Sequence, residues 1–150
     1  MKKTQKKETM NGLAESGVMT MLDHIEIYVS HLGRSRSFYD FLLSRLGWKL
    51  YQEWDAGFSY RLAAYYLVFV QTESRFLTHI FNRKHTGLNH LAFQMSSIAE
   101  INVLRTALLE YGVHELYADR FPHAGGEDYY AFYFEDPDRI KLEIVLREKI

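Results

Sequence analysis

Two histidines hold the same place in two similar stretches of this chain. Residues 22–30 read LDHIEIYVS and residues 88–96 read LNHLAFQMS, so His24 and His90 each follow Leu-x and open an alternating apolar run. A third group with metal-ligand chemistry, Glu143, lies in the terminal run KLEIVLR, residues 141–147. Side chains alternate across a strand, so phase assigns each residue to a face. In the first run Ile25, Ile27 and Val29 form the apolar set, and His24, Glu26 and Tyr28 point the other way. In the second, Leu91, Phe93 and Met95 oppose His90, Ala92 and Gln94; in the third, Leu142, Ile144 and Leu146 oppose Lys141, Glu143, Val145 and Arg147. If the strands curve toward one another, two imidazoles and one carboxylate converge. That donor set suits a divalent first-row ion with positions left open for water and substrate, and it does not choose among Zn, Ni, Mn and Fe. A lone strand histidine is more often a hydrogen-bonded structural group, and a lone terminal-strand glutamate is usually solvated. The coincidence of repeat position and strand phase singles these three out.

The elements that must position them also repeat. After the first copy, Phe38, Phe41, Leu42 and Leu46 fall at helical spacing and Gly47 stands where a C-terminal cap belongs. After the second, Ser97 and Glu100 form a capping-box signature, Ile98, Ile101, Leu104, Leu108 and Tyr111 mark one face, and Gly112 ends the helix. Strand-like runs follow each glycine: WKLYQEW, FSYRLA and YYLVFVQ, then VHELYA, YYAFYFE and KLEIVLR. The spacing therefore predicts an α+β fold of two βαβββ modules, about residues 21–74 and 87–147, with a linker near 73–86. Residues 1–20 carry four lysines against two glutamates and no helix or strand period, which predicts a disordered N-terminal extension.

Composition narrows the function classes. The 150 residues are 47% hydrophobic, 25% charged and 15% aromatic, the profile of a globular domain rather than a disordered chain. A net charge of -1 gives no field for a nucleic-acid partner. The absence of cysteine removes disulfides, thiolate metal sites and cysteine nucleophiles. The longest apolar stretch, Leu62 to Val70, is too short to span a bilayer, and no apolar segment follows the N-terminal lysines as in a secretory signal. A cytoplasmic location is the expectation.

LDHIEIYVSHLGRSRSFYDFLLSRLGWK, then GLNHLAFQM, then YYAFYFEDPDRIKLEIV, resembles the vicinal oxygen chelate superfamily, which includes glyoxalase I, bleomycin-resistance proteins, fosfomycin-resistance enzymes and extradiol dioxygenases. The resemblance covers about residues 21–147. It implies paired βαβββ modules with curved mixed sheets around a cleft that holds a divalent metal. The positions matching the family's ligands are His24, His90 and Glu143. The FEDPDRIKLEIV ending looks like the family's DPDG-x-x-x-E strand, with Arg139 in place of the usual Gly. Laying LEIV of residues 142–145 on LVFV of residues 67–70 sets Val68 opposite Glu143, where glyoxalase I members carry a second Glu. This is therefore not a typical four-ligand glyoxalase I. The resemblance points to a lyase, isomerase, epoxide-opening or oxygenase reaction that chelates neighbouring oxygens of a small substrate and stabilises an enolate or alkoxide.

A proton-moving reaction also needs a base. Glu26, two residues from His24 on the same face, is the candidate, against a solvated or salt-bridged role. Tyr28, Trp54, Tyr66 and Tyr130 are candidates for an aromatic substrate pocket, against ordinary packing. Arg61 or Arg147 could receive a substrate carboxylate by a two-point contact. The remaining histidines, His31, His79, His85, His114 and His123, read as surface residues, with His123 nearest the cleft rim. A homodimer is expected, with modules paired inside one chain or swapped between two. The contrasting readings are a metal-free module of the bleomycin-resistance type that sequesters an aromatic ligand, and a structural partner with a vestigial cleft.

Overall fold

The computed structural model describes residues 22–147. The expected extension over residues 1–20 lies outside them. The first module runs β1 (His24–Val29), α1 (Leu32–Arg45), β2 (Lys49–Trp54), β3 (Gly57–Leu62) and β4 (Tyr65–Gln71). The second runs β5 (His90–Met95), α2 (Ile98–Tyr111), β6 (His114–Leu116), β7 (Ala131–Glu135) and β8 (Lys141–Leu146). Each module is a four-stranded mixed sheet, ordered β1-β4-β3-β2 and β5-β8-β7-β6. The first strand of each module pairs in parallel with the last, and the other pairs are antiparallel. This is the duplicated α+β architecture that the sequence predicts.

Local chemistry sets the helix ends. The His31 ring caps α1 by accepting the Arg34 N–H at 3.1 Å, a role that surface exposure alone did not suggest. Ser97 caps α2 by accepting the Glu100 N–H at 3.3 Å, a contact of a kind typically worth about 1 kcal/mol. Both helices stop where glycine takes a left-handed conformation, Gly47 at φ 84 and Gly112 at φ 98, at no steric cost. On α2 the buried face is Ile101, Leu104 and Leu108. Ile98 and Tyr111, predicted on that face, stand 47% and 42% exposed because they are the helix's first and last residues. The strand expected over VHELYA shortens to His114–Leu116, since Tyr117 turns the chain at φ 59.

A single apolar core joins the modules. It contains Ile27, Val29, Phe38, Leu42 and Phe69 from the first and Ile101, Leu108, Phe132, Phe134 and Ile144 from the second. Phe38 meets Phe134 at 6.5 Å between ring centroids, and Phe41 meets Tyr111 at 4.4 Å. A buried polar joint reinforces the contact: Tyr39 Oη donates to Asp136 Oδ2 at 2.8 Å. Asp136 also accepts the backbone N–H groups of Asp138 and Ile140, so one carboxylate fixes the β7–β8 turn and ties it to α1. The helix-bearing faces of both sheets are therefore consumed in one core. The opposite faces, which carry the candidate ligands, lie outside it.

Candidate metal centre

On the open face of the second sheet, parallel pairing sets Ala92 beside Glu143, and antiparallel pairing sets Tyr133 on its other side. Glu143 is 1% exposed, an expensive place for a carboxylate unless partners compensate. Two groups do so directly. His90 Nε2 lies 2.9 Å from Glu143 Oε2, and Tyr129 Oη donates to Glu143 Oε1 at 2.6 Å. The other His90 ring nitrogen, Nδ1, lies 2.7 Å from Asn89 Oδ1, which fixes the ring's orientation. Burial first, and Glu143 second, raises the Tyr133 phenol to about 12. Burial and the hydrogen bond to Glu143 raise Tyr129 as well. Both phenols stay protonated at neutral pH and are not bases. The Lys141 ammonium stands 5.5 Å from the Tyr133 ring centroid on the same face.

Glycine makes the arrangement possible. A Cβ on Gly125 would sit 2.6 Å from the Tyr129 ring and 2.9 Å from Tyr133 Oη, too close for either phenol to keep its place.

The first sheet treats its histidine differently. His24 stacks on Tyr66 with ring centroids 4.6 Å apart, and its Nδ1 lies 2.7 Å from Asp23 Oδ2. The hydrogen bond to His24 is the largest influence holding the Asp23 carboxyl below its usual range. Glu26 is exposed beside Val68, and Tyr28 is 60% exposed further along the same strand. Trp54 covers Gly57, where a Cβ would sit 2.2 Å from the indole.

One chain does not bring the predicted donors together as a triad. His90 and Glu143 meet; His24 does not join them. Among the described residues no group of three His, Asp or Glu side chains is placed to hold one ion. His24 and the His90–Glu143 pair stand on different sheets, each on the face opposite the shared core. Two donors fall short of the three that catalytic zinc-type sites use, so an ion here needs a further ligand.

The predicted pocket residues also divide. Tyr66 packs on His24, while Tyr28 lines a cavity against the linker. Trp54 stays on the open face, and Tyr130 does not reach it. Its hydroxyl donates to Asn102 of α2 at 2.7 Å and its ring packs on the shared core. Tyr129, which shares the parity of Ala131 and Tyr133, is the residue at Glu143; the adjacent pair of tyrosines hid that distinction. His123 meets the Tyr130 ring at 6.0 Å, on the core side rather than at the metal-ligand candidates. Of the two arginines suggested for substrate, Arg61 lies over Tyr51 and Arg147 over the Tyr129 ring at 4.8 Å.

The model of the Glyoxalase/Bleomycin resistance protein/Dioxygenase superfamily matches residues 21–144. The chain belongs to this superfamily. Within it, the Bacillus subtilis protein YqjT is 45% identical over 124 residues, covering 83% of this chain and 97% of the relative. A crystal structure from Bacillus halodurans, provisionally called a glyoxalase, is 51% identical, with a TM-score of 0.84 over 91% of this chain and all of the other. The genomically encoded fosfomycin resistance protein FosX of Listeria monocytogenes shares the fold at 18% identity and a TM-score of 0.64, covering 85% of this chain and 91% of its own. The superfamily's name spans glyoxalases, dioxygenases and bleomycin-resistance proteins, so function must be argued from the site. No helix among the described residues is long and apolar enough to cross a membrane.

Proposed function

We propose that this superfamily member is a divalent-metal-dependent enzyme acting on a small substrate with neighbouring oxygens, and that its site is completed only in a homodimer. His90 and Glu143 of one chain would hold the ion together with His24 of the partner subunit. The observation that carries the reading is the His90–Glu143 pair, 2.9 Å apart, with its carboxylate buried on the sheet face opposite the shared core, beside Tyr129 and Tyr133. Neighbouring imidazole and carboxylate donors suit Zn²⁺, Ni²⁺, Mn²⁺ or Fe²⁺. His24 has the equivalent position in the other module, at the start of β1, with its side chain 42% exposed.

A bound ion would supply Lewis-acid polarisation of the substrate oxygens. The chain's residues do the rest. Tyr129 holds one Glu143 oxygen and leaves Oε2 directed at His90. Asn89 fixes the His90 ring. Glu26 shares the His24 face and has no hydrogen-bond or ion-pair partner among the described residues, which leaves its carboxylate free to take a proton from substrate. Val68 neither ligates nor titrates, so the chemistry is that of a three-ligand site.

The alternative is metal-free sequestration of an aromatic compound. Its support is that both histidines already have carboxylate partners, Asp23 and Glu143. Metal analysis of protein purified without chelator separates the two. Near-stoichiometric divalent metal in the native protein, lost in His90→Ala, is the expected outcome. Native protein without metal, showing saturable binding of an aromatic compound, overturns the enzyme reading.

A further inference from the structure

The stretch between the modules forms a groove whose lining includes none of His24, His90 or Glu143. A cavity of about 650 Å3, within the size range of small-molecule sites, lies where this linker meets the end of β1 and the β7–β8 turn. Its apolar lining is Tyr28, Phe76, Leu77, Ile80, Phe81 and Ile140. Ile80 is 79% exposed, and Phe76 and Leu77 exceed two-fifths exposure. Its acids are already engaged: Asp138 accepts from the Ser30 backbone and from Arg34, and Glu73 accepts from Arg75 at 2.9 Å.

A second cavity of about 500 Å3 adjoins it, sharing Ile80, Phe81 and Arg139. This half is basic, with Arg83, Lys84 and His85 in its lining. Arg83 bonds Glu135 at 2.5 Å, and Arg139 lies 3.5 Å from the other oxygen of the same carboxylate. The Lys84 ammonium has no partner among the described residues. Three permanent cations against one carboxylate leave this half two positive charges in excess. Arg139 stands at the junction of the halves with φ 67, a conformation that favours glycine. Asp136 accepts the Asp138 and Ile140 N–H groups and so fixes the backbone of the turn that carries Arg139.

We infer that this groove binds a carboxylate carried on an apolar body, with the body against Phe76, Leu77 and Ile80 and the carboxylate at Arg139 and Lys84. A guanidinium fork matches a planar carboxylate in two contacts. The apolar walls favour a singly charged head over a dianion, whose desolvation costs more. The assignment does not depend on the metal reading.

Octanoate is the probe, titrated by calorimetry into the full chain after chelator treatment, with octanol and octylamine as head-group controls and acetate as the tail control. Octanoate is expected to bind saturably and about tenfold or more tighter than each control. Arg139→Gly, which suits the positive φ, is expected to keep or raise Tm while weakening octanoate about tenfold. Ile80→Ser is expected to weaken it about threefold or more through lost apolar contact. Octanol binding equally well, unchanged octanoate affinity in Arg139→Gly, or no saturable binding overturns the inference. Octanoate binding that appears only once metal is restored also overturns it, by placing the carboxylate at the ion. Failure to find metal in native protein overturns the proposed function and leaves this site standing.

Discussion

The two modules place their carboxylates on opposite members of the same strand pair. In the first, Glu26 of β1 stands beside Val68 of β4; in the second, Ala92 of β5 stands beside Glu143 of β8. Glu26 is exposed, whereas Glu143 is buried with His90 and Tyr129 on it. On the neighbouring antiparallel strand, Ser59 faces Val68 where Tyr133 faces Glu143. Ser59 Oγ is buried without a hydrogen-bond partner. Helix caps, strand order and core positions correspond between the modules, while the open-face residues diverge. Duplication has preserved what folds and varied what reacts: one half offers a donor pair, and the other offers a lone imidazole and an unengaged carboxylate.

Each half gives a glycine to an aromatic ring, and that is the sharpest way to split them. Gly57→Ala sets a methyl 2.2 Å from the Trp54 indole and 2.7 Å from the Phe69 carbonyl oxygen. Backbone cannot yield as a side chain can, so denaturant unfolding should show a loss of about 3 kcal/mol. Gly125→Ala meets only side chains, Tyr129 and Tyr133. It should cost about 1 kcal/mol and weaken metal binding by roughly tenfold, because the group orienting Glu143 is displaced. Equal stability losses with unchanged metal affinity would erase the distinction.

The joint between the modules should be pH-sensitive. Burial raises Asp136 from 3.8 to about 6, against the opposing pull of Tyr39 and the Ile140 and Asp138 N–H groups. Its folded pKa therefore exceeds its unfolded value, and the native state binds the extra proton between them. Its contribution is full below about pH 4 and is lost as pH rises through about 6, for a total of about 3 kcal/mol. Asp136→Asn should remove that component, read as the difference between the two stability-against-pH curves. A constant difference from pH 4 to 7 would refute it. The smallest effect belongs to Ser59→Ala, which removes an unpaired buried hydroxyl and should change stability by less than about 1 kcal/mol, neutral or favourable. A loss of 2 kcal/mol or more by thermal unfolding would mean that the hydroxyl has a partner.

Much of this was legible in the sequence. The repeated histidine motif, the closing glycines and the period-2 runs place His24, His90 and Glu143 on open sheet faces, because alternation fixes the face of every residue in a strand. Alternation does not say which sheet meets which. The sequence leaves open whether the modules pair inside one chain or across two; in the structure Phe38, Phe41 and Tyr39 bind the helix-bearing faces of one chain together. Tyr130 carries the pocket expectation, but Tyr129 shares the parity of Tyr133, which pairs with Glu143, and so Tyr129 is the tyrosine on the carboxylate. The capping role of His31 was hidden because histidine is an uncommon cap. Arg83 lies in the linker, where no period exists to place it.

The site shared between two chains can be tested by mixing. His24→Ala and Glu143→Gln should each abolish metal binding when purified alone. Unfolded and refolded together, they should recover metal in roughly a quarter of the sites, since half the dimers are mixed and each mixed dimer regains one intact site. No recovery, from a mixture shown to contain mixed dimers, would contradict a centre built from His24 of one chain and His90 with Glu143 of the other.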